Sequence, residues 1–468
     1  MLKADKTMMV KNALLFLMLG VPTMASSIPD TMLNSIWTFS QARLKATMAA
    51  LGNSTSQYPR SAPQTGGKWG LVGSGDWTSG FYPGCLWLAY EKSGDTAFRN
   101  AAQRWTAALE SQKNNTGTHD VGFMIFCSYG NGYRLLKTSS YLPVIQTAAQ
   151  SLSTRYKALA GIIDSWDFAP YNTGWEEIID NMMNLELLFW VAANGGSANY
   201  RTMAQSHAEK AMANHFRPDS STFHVVRYSS TTGAMTSQET RQGYSNSSCW
   251  ARGQAWAVYG FTMAYRYTKD ARFLATAKKA AGYYISHLPV DRVPFWDFNA
   301  PGIPADTVPR DASSSAIVAS GLLELCTFTG APDSARYLDT AVSLIKGLWA
   351  AKYRGLNTQA SILNHSTGSR MEGHDVDMGI IYADYYFLEA LLRYEKLRGA
   401  TAIARNSATP QKEPFHHTIH DAPDRCDLLG RSIRTFSGPP APGTLILHPE
   451  KSRSAQDGTR KAVIGFDN

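Results

Sequence analysis

The chain has 468 residues, of which 44% are hydrophobic, 11% aromatic and 18% charged. This composition excludes a disordered, collagen-like or disulfide-stapled protein and is sufficient for a large buried core. The formal charge of +8, from 45 Lys and Arg against 37 Asp and Glu, is spread along the chain without basic runs. Nucleic acid is therefore not an expected partner, whereas a mildly basic surface suits small anionic substrates.

The first 25 residues have the pattern of a secretory signal peptide. Lysines precede an apolar run at residues 13–18, and small residues follow at Ala25 and Ser26. The run is shorter than the roughly 20 residues that span a bilayer, so a retained anchor is the weaker alternative. No later stretch is long and apolar enough to span a membrane. We therefore expect a secreted, extracellular protein with no membrane association in its mature form.

The five cysteines have no metal-like spacing and leave one unpaired if the others form disulfides. The first four lie in or beside apolar helical stretches, at Cys85, Cys127, Cys249 and Cys326. This placement favours buried free thiols over a disulfide framework.

Residues 28–399 repeat one theme, an amphipathic helical segment followed by a turn rich in Gly, Pro or Asn. Strand alternation appears mainly at Thr222–Tyr228 and Ala234–Thr240, which predicts one β-hairpin. Twelve helices are predicted, at Thr31–Leu51, Phe81–Lys92, Thr96–Gln112, Val121–Lys137, Tyr141–Leu159, Trp175–Ala193, Tyr200–His215, Trp250–Tyr267, Ala271–His287, Ser313–Thr327, Ala335–Lys352 and Ile380–Leu397.

Twelve helices with little sheet predict an all-α fold, an (α/α)6 barrel of six helical hairpins arranged in a ring. The loops at one end of such a toroid would carry the functional site. An open solenoid is the alternative, but it would show a sequence repeat of fixed period and none recurs. After Ala400 the helical periodicity stops and seven of the 21 prolines follow, so residues 400–468 are predicted to be a low-order tail.

Aromatic and acidic residues stand near the starts of two predicted helices. Trp77 lies in a Gly-rich segment ahead of one helix, where its ring either fills the core or stacks against a sugar. Asp120 follows His119 at the start of another helix, where it serves either as the N-cap or in catalysis.

Asp180 differs from Asp120 in its predicted position. It lies inside the predicted helix Trp175–Ala193, with Asn184 one turn later on the same face. A carboxyl on a mainly apolar inner helix is partly desolvated, which raises its pKa towards the range useful for proton donation. The alternative is a buried structural Asp that is satisfied by helix ends or by an Arg.

A further polar cluster contains Gln242, Arg252 and Trp256. Arg252 and Trp256 are one helical turn apart, and together they either recognise a carboxylate on a ring or form a structural cation–π pair. His224 in the hairpin either reaches this site or is structural. No His or Cys cluster has metal-ligand spacing and no phosphate loop or nucleophile elbow is present, so no metal or cofactor is expected. Two carboxylates with aromatic rings point to carbohydrate chemistry.

Six motifs together resemble the unsaturated glucuronyl hydrolases of glycoside hydrolase family 88. They lie at Asp76–Gly84, His119–Phe123, Ile179–Asn184, Trp250–Trp256, Asp311–Ser315 and Ala383–Ala390. The resemblance covers residues 30–399 and implies an (α/α)6 barrel. It also implies an enzyme that releases the 4,5-unsaturated uronic acid from the non-reducing end of lyase-generated oligosaccharides, such as those from glycosaminoglycans, by hydrating the C4=C5 vinyl ether.

The resemblance implies roles for particular residues. Asp180 would protonate C4 as general acid and assist the addition of water at C5 as base. Asp120 would position the substrate or keep the pKa of Asp180 high by like-charge repulsion. The residues that match substrate-binding positions are Trp77 and Trp256 as stacking rings, His119, His224, Gln242 and Arg252 around the uronate, and Trp166 as a further aromatic.

Two alternatives remain open at this stage. An unsaturated rhamnogalacturonyl hydrolase of glycoside hydrolase family 105 shares the barrel and the hydration chemistry, although the segments Asp76–Gly84 and Asp311–Ser315 favour the glucuronyl family. The other alternative is a catalytically silent carbohydrate-binding barrel, against which the presence of both Asp120 and Asp180 argues.

Overall fold

The structure, a computed structural model, describes residues 27–168 and 173–408. This part of the chain is dominated by helices. They are α1 (Asp30–Leu51), α2 (Phe81–Ser93), α3 (Thr96–Ala107), a 3-10 helix (Glu110–Asn114), a π-helix (Gly122–Gly130), α4 (Asn131–Leu136), α5 (Tyr141–Ser153), α6 (Asn181–Ala193), α7 (Ala198–Asn214), α8 (Ala251–Thr268), α9 (Ala271–Ser286), α10 (Ala312–Leu325), a 3-10 helix (Cys326–Phe328), α11 (Asp333–Leu348) and α12 (Ile381–Ala408).

Outer and inner helices alternate along the chain. The inner helices are α2, the π-helix with α4, α6, α8, α10 and α12; each packs against the next, and α12 closes the ring against α2. Burial follows this division, since every residue of inner helix α10 except Glu324 is buried, whereas outer helix α7 buries only four of its 17 residues. The predicted (α/α)6 barrel is confirmed.

Three small antiparallel sheets decorate the barrel. The strands are β1 (Tyr58–Ala62), β2 (Gly70–Val72), β3 (Tyr156–Lys157), β4 (Ile162–Ile163), β5 (Trp175–Ile178), β6 (Val225–Tyr228), β7 (Met235–Glu239) and β8 (Gly379–Ile380). The first sheet has the strand order β2-β1-β8, the second pairs β3 with β4, and the third has the order β5-β6-β7. The predicted hairpin is confirmed as β6 and β7.

The prediction of a helix from Trp175 is wrong, because residues 175–178 form strand β5. Trp175 pairs with Tyr228 and Ile178 pairs with Val225. The aromatic and β-branched residues of this stretch suit a strand, and pairing with β6 overrides the apolar spacing that resembles a helix. Helix α6 therefore begins at Asn181, and Asp180 occupies its N-cap position rather than the helix interior.

Four other helices differ clearly from their predicted form. The segment predicted as one helix at Val121–Lys137 is a π-helix followed by α4. The predicted helix Thr96–Gln112 ends at Ala107 and is followed by a 3-10 helix, and the predicted helix Tyr141–Leu159 is wrong beyond Ser153, because Tyr156–Lys157 pair with Ile162–Ile163 as strands. Helix α12 continues through Ala408, past the predicted end at Leu397, and the alanine-rich sequence after Gly399 has the propensity for this extension. The signal segment 1–25 and residues 409–468 of the predicted tail lie outside the described residues.

The described residues contain four cysteines, Cys85, Cys127, Cys249 and Cys326, and all four are buried free thiols, as predicted. Cys426 lies outside the described part of the chain. None of the helices in residues 27–168 and 173–408 combines the length and apolar character needed to cross a membrane.

The close contact between α2 and the π-helix predicts a strict requirement for glycine at Gly80. A Cβ there would overlap the backbone carbonyl oxygens of Phe123 and Met124, which cannot move without disturbing the π-helix. We expect Gly80→Ala to lower the free energy of unfolding by about 1–3 kcal/mol, measured by denaturant titration. Gly282→Ala is the matched control, because nothing lies within 4 Å of a Cβ in that α9 position, and alanine should stabilise the helix slightly. Equal effects of the two changes would contradict the proposed close contact.

Candidate active site

The residues singled out from the sequence gather at one end of the ring, where the inner helices begin. Trp77 precedes α2, Asp120 precedes the π-helix, Asp180 is the N-cap of α6, and Arg252 lies in the first turn of α8. Asp311 caps α10 at the same end, accepting a hydrogen bond from the Ser313 amide. Helix N-termini carry partial positive charge and free amide donors, so this end of the barrel favours an anionic ligand.

A cavity of about 190 Å³ opens among these helix starts. Seven of the nine predicted site residues line it, whereas His224 and Trp256 lie directly behind its wall. The full lining is Trp77, His119, Asp120, Trp166, Phe168, Ile178, Asp180, Arg241, Gln242, Arg252 and Glu372.

Asp180 is the carboxyl whose proton affinity is most altered in this cavity. Its side chain is only 15% exposed, and this burial raises its pKa from the ordinary 3.8 to about 7. The positive charge of Arg252 opposes the rise, and the negative charge of Asp120 adds to it. A carboxyl with a pKa near 7 holds its proton for part of the time at neutral pH, so it can act first as an acid and then as a base.

His224 faces Asp180 in a defined protonation state. Its Nδ1 accepts hydrogen bonds from the backbone amides of Arg241 and Gln242, both at 3.1 Å, so the proton of the neutral ring is on Nε2. Nε2 lies 3.6 Å from Asp180 Oδ2. Burial lowers the pKa of His224 well below 6.5, so the ring is neutral and offers Asp180 a donor without a full positive charge.

Asp120 is joined to helix α6 through Asn184. The Asn184 amide nitrogen lies 3.4 Å from Asp120 Oδ1, while its carbonyl oxygen accepts the Phe123 backbone N–H at 2.8 Å. His119 Nε2 lies 3.5 Å from the same Asp120 oxygen, and burial lowers the pKa of His119. The side chain of Asp120 accepts from the Thr118 hydroxyl and does not cap the helix that follows.

Arg252 is held firmly by the protein. Its Nη1 donates to Asp311 Oδ2 at 2.9 Å and to the Thr367 carbonyl, and its Nη2 donates to the Gly368 carbonyl and lies 3.5 Å from Gln242 Oε1. The side chain is only 2% exposed. Arg252 therefore supplies positive potential at a fixed place beside Asp180.

Two of the three predicted aromatic residues line the cavity, and the third does not. Trp77 and Trp166 are half-buried and line the cavity, so their rings offer it apolar area. Trp256 is fully buried, with its ring 5.5 Å from Phe123 and 5.6 Å from Tyr386. Trp256 therefore packs behind the residues that line the cavity, and its ring is not exposed for stacking against a ligand.

Several buried polar atoms at and behind the wall of this cavity have no hydrogen-bond partner within the part of the protein that the structure describes. Buried polar atoms in proteins are usually paired, with protein or with water, so these atoms are open to a ligand or to water. Five such atoms have no partner among the described residues: Asp180 Oδ2, His224 Nε2, His119 Nδ1, Arg252 Nε and Trp256 Nε1.

Four residues of the cavity were not predicted from the sequence: Phe168, Ile178, Arg241 and Glu372. Arg241 lies with its guanidinium carbon 5.0 Å from the ring centres of Trp166 and Phe168, and it forms an ion pair with Glu372. In the sequence, the position of Arg241 directly before the predicted site residue Gln242 was the one feature that could have identified it as part of the site. Glu372 comes from a distant loop without a sequence signal.

The raised pKa of Asp180 predicts a pH-dependent difference in stability. Because the folded state binds this proton more tightly than the unfolded state, the stabilising contribution is present below pH 4 and is lost as the pH rises to about 7. The Asp180→Asn variant has no titrating group at this position, so it does not lose this stability as the pH rises. We expect its free energy of unfolding, relative to the native protein, to increase between pH 4 and pH 8 by on the order of 4 kcal/mol. Denaturant titrations at both pH values measure this change, and a pH-independent difference would contradict it.

Comparisons with known proteins identify the family to which this chain belongs. The sequence pattern of Glycosyl Hydrolase Family 88 matches residues 53–405. An unsaturated glucuronyl hydrolase of Formosa agariphila is 45% identical over 73% of this chain and 86% of its own. An unsaturated chondroitin disaccharide hydrolase of Streptococcus agalactiae is 34% identical over 69% of this chain and 82% of its own.

A solved structure shares the whole barrel. The crystal structure of an unsaturated glucuronyl hydrolase specific for heparin is 38% identical and superimposes with a TM-score of 0.75, covering 79% of this chain and 99% of that one. The structural match covers the fold, and the residues matched by the family pattern contain every residue that lines the cavity. On these grounds the chain belongs to Glycosyl Hydrolase Family 88.

Proposed function

We propose that this protein is a hydrolase that removes the 4,5-unsaturated uronic acid from the non-reducing end of lyase-generated oligosaccharides, with glycosaminoglycan products as its substrates. The relatives named unsaturated glucuronyl hydrolase and unsaturated chondroitin disaccharide hydrolase support this substrate class. The single observation that carries the proposal is Asp180, a nearly buried carboxyl with a pKa of about 7 and an unpartnered oxygen at the wall of the cavity.

The proposed reaction is the hydration of a vinyl ether. Protonated Asp180 donates its proton to C4 of the C4=C5 bond, which leaves positive charge at C5 shared with the ring oxygen. The resulting carboxylate then takes a proton from the water that adds to C5, so that Asp180 ends the step protonated as it began. The hemiketal at C5 opens to a ketone, and the hemiacetal formed at C1 expels the remaining sugar with its hydroxyl restored.

The surroundings of Asp180 suit both halves of this cycle. Loss of water around the carboxyl favours its acid form before the reaction. Arg252 stabilises the carboxylate form after proton transfer through its fixed charge, and the neutral His224 faces that carboxylate with Nε2 3.6 Å from Oδ2. The N-termini of the inner helices and Arg252 offer positive potential to the uronate carboxylate, and Trp77 and Trp166 offer apolar faces to its ring.

The proposed hydration predicts a direct optical assay. Purified protein should remove the ultraviolet absorbance of the C4=C5 bond from an unsaturated glycosaminoglycan disaccharide, and it should do so faster than from the unsaturated product of a rhamnogalacturonan lyase. Asp180→Asn keeps the shape but cannot donate the proton, so turnover should fall on the order of 10²-fold or more.

The matched control for this assay is Asp306→Asn. Asp306 is 84% exposed and pairs with Lys352 on the surface, so its loss should leave the rate unchanged. Preference for the pectic product would instead assign the chain to rhamnogalacturonyl hydrolysis. Absence of any absorbance loss would indicate a silent carbohydrate-binding barrel, and full activity of Asp180→Asn would exclude Asp180 as the acid.

We also propose that the protein is exported, with residues 1–25 removed as a signal peptide. The support is the sequence alone, in which lysines precede the apolar run 13–18 and small residues follow it. Export would place the enzyme where oligosaccharides of extracellular polysaccharides are released.

Export predicts a mature N-terminus close to Ser26 when the full chain is expressed in a Gram-negative bacterial host. N-terminal sequencing of the exported fraction measures it. Leu15→Arg interrupts the apolar run and should leave the chain unprocessed in the cytoplasm, whereas Lys6→Arg keeps the charge and should be processed normally. A native chain that keeps Met1 would exclude the signal peptide.

A further inference from the structure

A second and larger cavity opens at the opposite end of the ring, where the inner helices finish, and it reaches inwards to Gly122 and Phe123 at the start of the π-helix. Its volume is about 420 Å³, which is within the range of small-molecule sites. Glu91 near the end of α2, Lys137 directly after α4 and Tyr267 in the last turn of α8 belong to its lining. No described residue lines both this cavity and the Asp180 cavity.

One side of this cavity is basic. Glu91 accepts two hydrogen bonds from Arg134 and one from Lys396 at 2.8 Å, so a single carboxylate is shared by two cations. Lys137 adds a third positive charge, with its Nζ 5.1 Å from the Tyr133 ring centre. No carboxylate of the described part of the chain lies within ion-pair distance of Lys137. This side of the cavity therefore carries surplus positive charge.

The other side is rich in fixed carboxylates. Glu186 accepts from Arg266 at 2.6 Å, and Glu389 accepts from the Tyr259 hydroxyl. Behind them Glu324 binds both Arg266 and Arg393, so three carboxylates face two guanidinium groups. Carboxylates held in this way are acceptors for the hydroxyl groups of a ligand.

Aromatic rings join the two sides. Trp190 of α6 is half-buried, and its ring centre lies 5.7 Å from Phe126 and 5.5 Å from Tyr133, all three being part of the lining. Flat aromatic area with polar groups at its edge is the arrangement that suits the apolar face and the hydroxyl rim of a sugar ring.

We propose that this second cavity is a non-catalytic binding site for an acidic saccharide. The carboxylate of the saccharide would face Lys137, Lys396 and Arg134, its hydroxyl groups would donate to Glu186 and Glu389, and its ring would contact Trp190. The proposal does not rest on the hydrolytic activity, since the two cavities are separate and this one has its own polar groups.

The competing explanation is purely structural. Cations near helix C-termini interact favourably with the helix dipole, and Lys137 and Arg134 stand at the end of α4. Such a role needs no ligand. The experiment must therefore measure binding at this cavity itself rather than stability.

Fluorine NMR of protein labelled with 5-fluorotryptophan distinguishes binding at the second cavity from binding at the Asp180 cavity. Trp190→Phe identifies the signal of the second cavity, and Trp77→Phe identifies one of the Asp180 cavity. The probe is the saturated disaccharide of glucuronic acid and N-acetylglucosamine, which has no C4=C5 bond to hydrate. We expect it to shift the Trp190 signal saturably, and a neutral glucose disaccharide to shift it much more weakly.

The double variant Lys137→Asn with Lys396→Gln tests the basic side. Asn tolerates the left-handed backbone of Lys137, whose φ is 54°, and Gln keeps the length of the exposed Lys396 side chain. We expect the affinity of the Trp190 site for the acidic disaccharide to fall about fivefold or more. The rate in the absorbance assay should stay unchanged.

A matched control removes the same charges elsewhere. Lys269 also has a left-handed φ of 58° and lies 5.3 Å from a tyrosine ring, and Lys352 is an exposed lysine paired with one carboxylate. Lys269→Asn with Lys352→Gln should leave the affinity unchanged. An unmoved Trp190 signal, equal shifts with the acidic and the neutral disaccharide, or equal losses in the two double variants would each overturn the proposal. Failure of the absorbance assay would not, because the Trp190 signal does not depend on it.

Discussion

The shared direction of the inner helices is the constraint on which the rest of the molecule depends. In each helical hairpin the outer helix comes first, so all the inner helices run in the same direction and begin at one end. Aligned peptide dipoles give that end a partial positive charge and free amide donors. Trp77, Asp120, Asp180, Arg252 and Asp311 all stand at those starts, so the chemistry of the cavity is a consequence of the direction in which the ring is built.

A raised pKa at Asp180 costs stability, and the surrounding contacts hold the carboxyl in place despite that cost. Pairing of β5 with β6 fixes the residues immediately before Asp180, and the amides of Arg241 and Gln242 fix the ring of His224 opposite it. Arg252 cannot move to neutralise the carboxylate by direct contact, because its Nη atoms are bound to Asp311 and to backbone carbonyls. The result is a carboxyl that is near a positive charge without being paired with it.

The sequence was sufficient to predict the barrel because the inner and outer helices carry strong apolar periodicity and clear turn residues. It was also sufficient to predict that Asp120, Asp180 and Arg252 are functional candidates, although the resemblance to a known family supplied their roles. It was insufficient for the strand before Asp180, whose apolar residues run directly into those of α6 and whose partner strand lies some 50 residues away. Contacts of that range decide between helix and strand, and local spacing does not contain them. The burial of Trp256 depends in the same way on Phe123 and Tyr386 from other inner helices.

The shared direction of the inner helices also explains why the two ends of the barrel differ in their basic side chains. At the end where helices begin, the backbone supplies positive potential, to which Arg252 and Arg241 in the cavity lining add. At the end where helices finish, the backbone supplies partial negative charge, so any attraction for an anion must come from side chains. Arg134 and Lys396 share the single carboxylate of Glu91, and Lys137 stands in the same lining with no described carboxylate within ion-pair distance. Two of these cations suffice to match Glu91 and the end of α4, and the third remains as charge that a negatively charged ligand would neutralise.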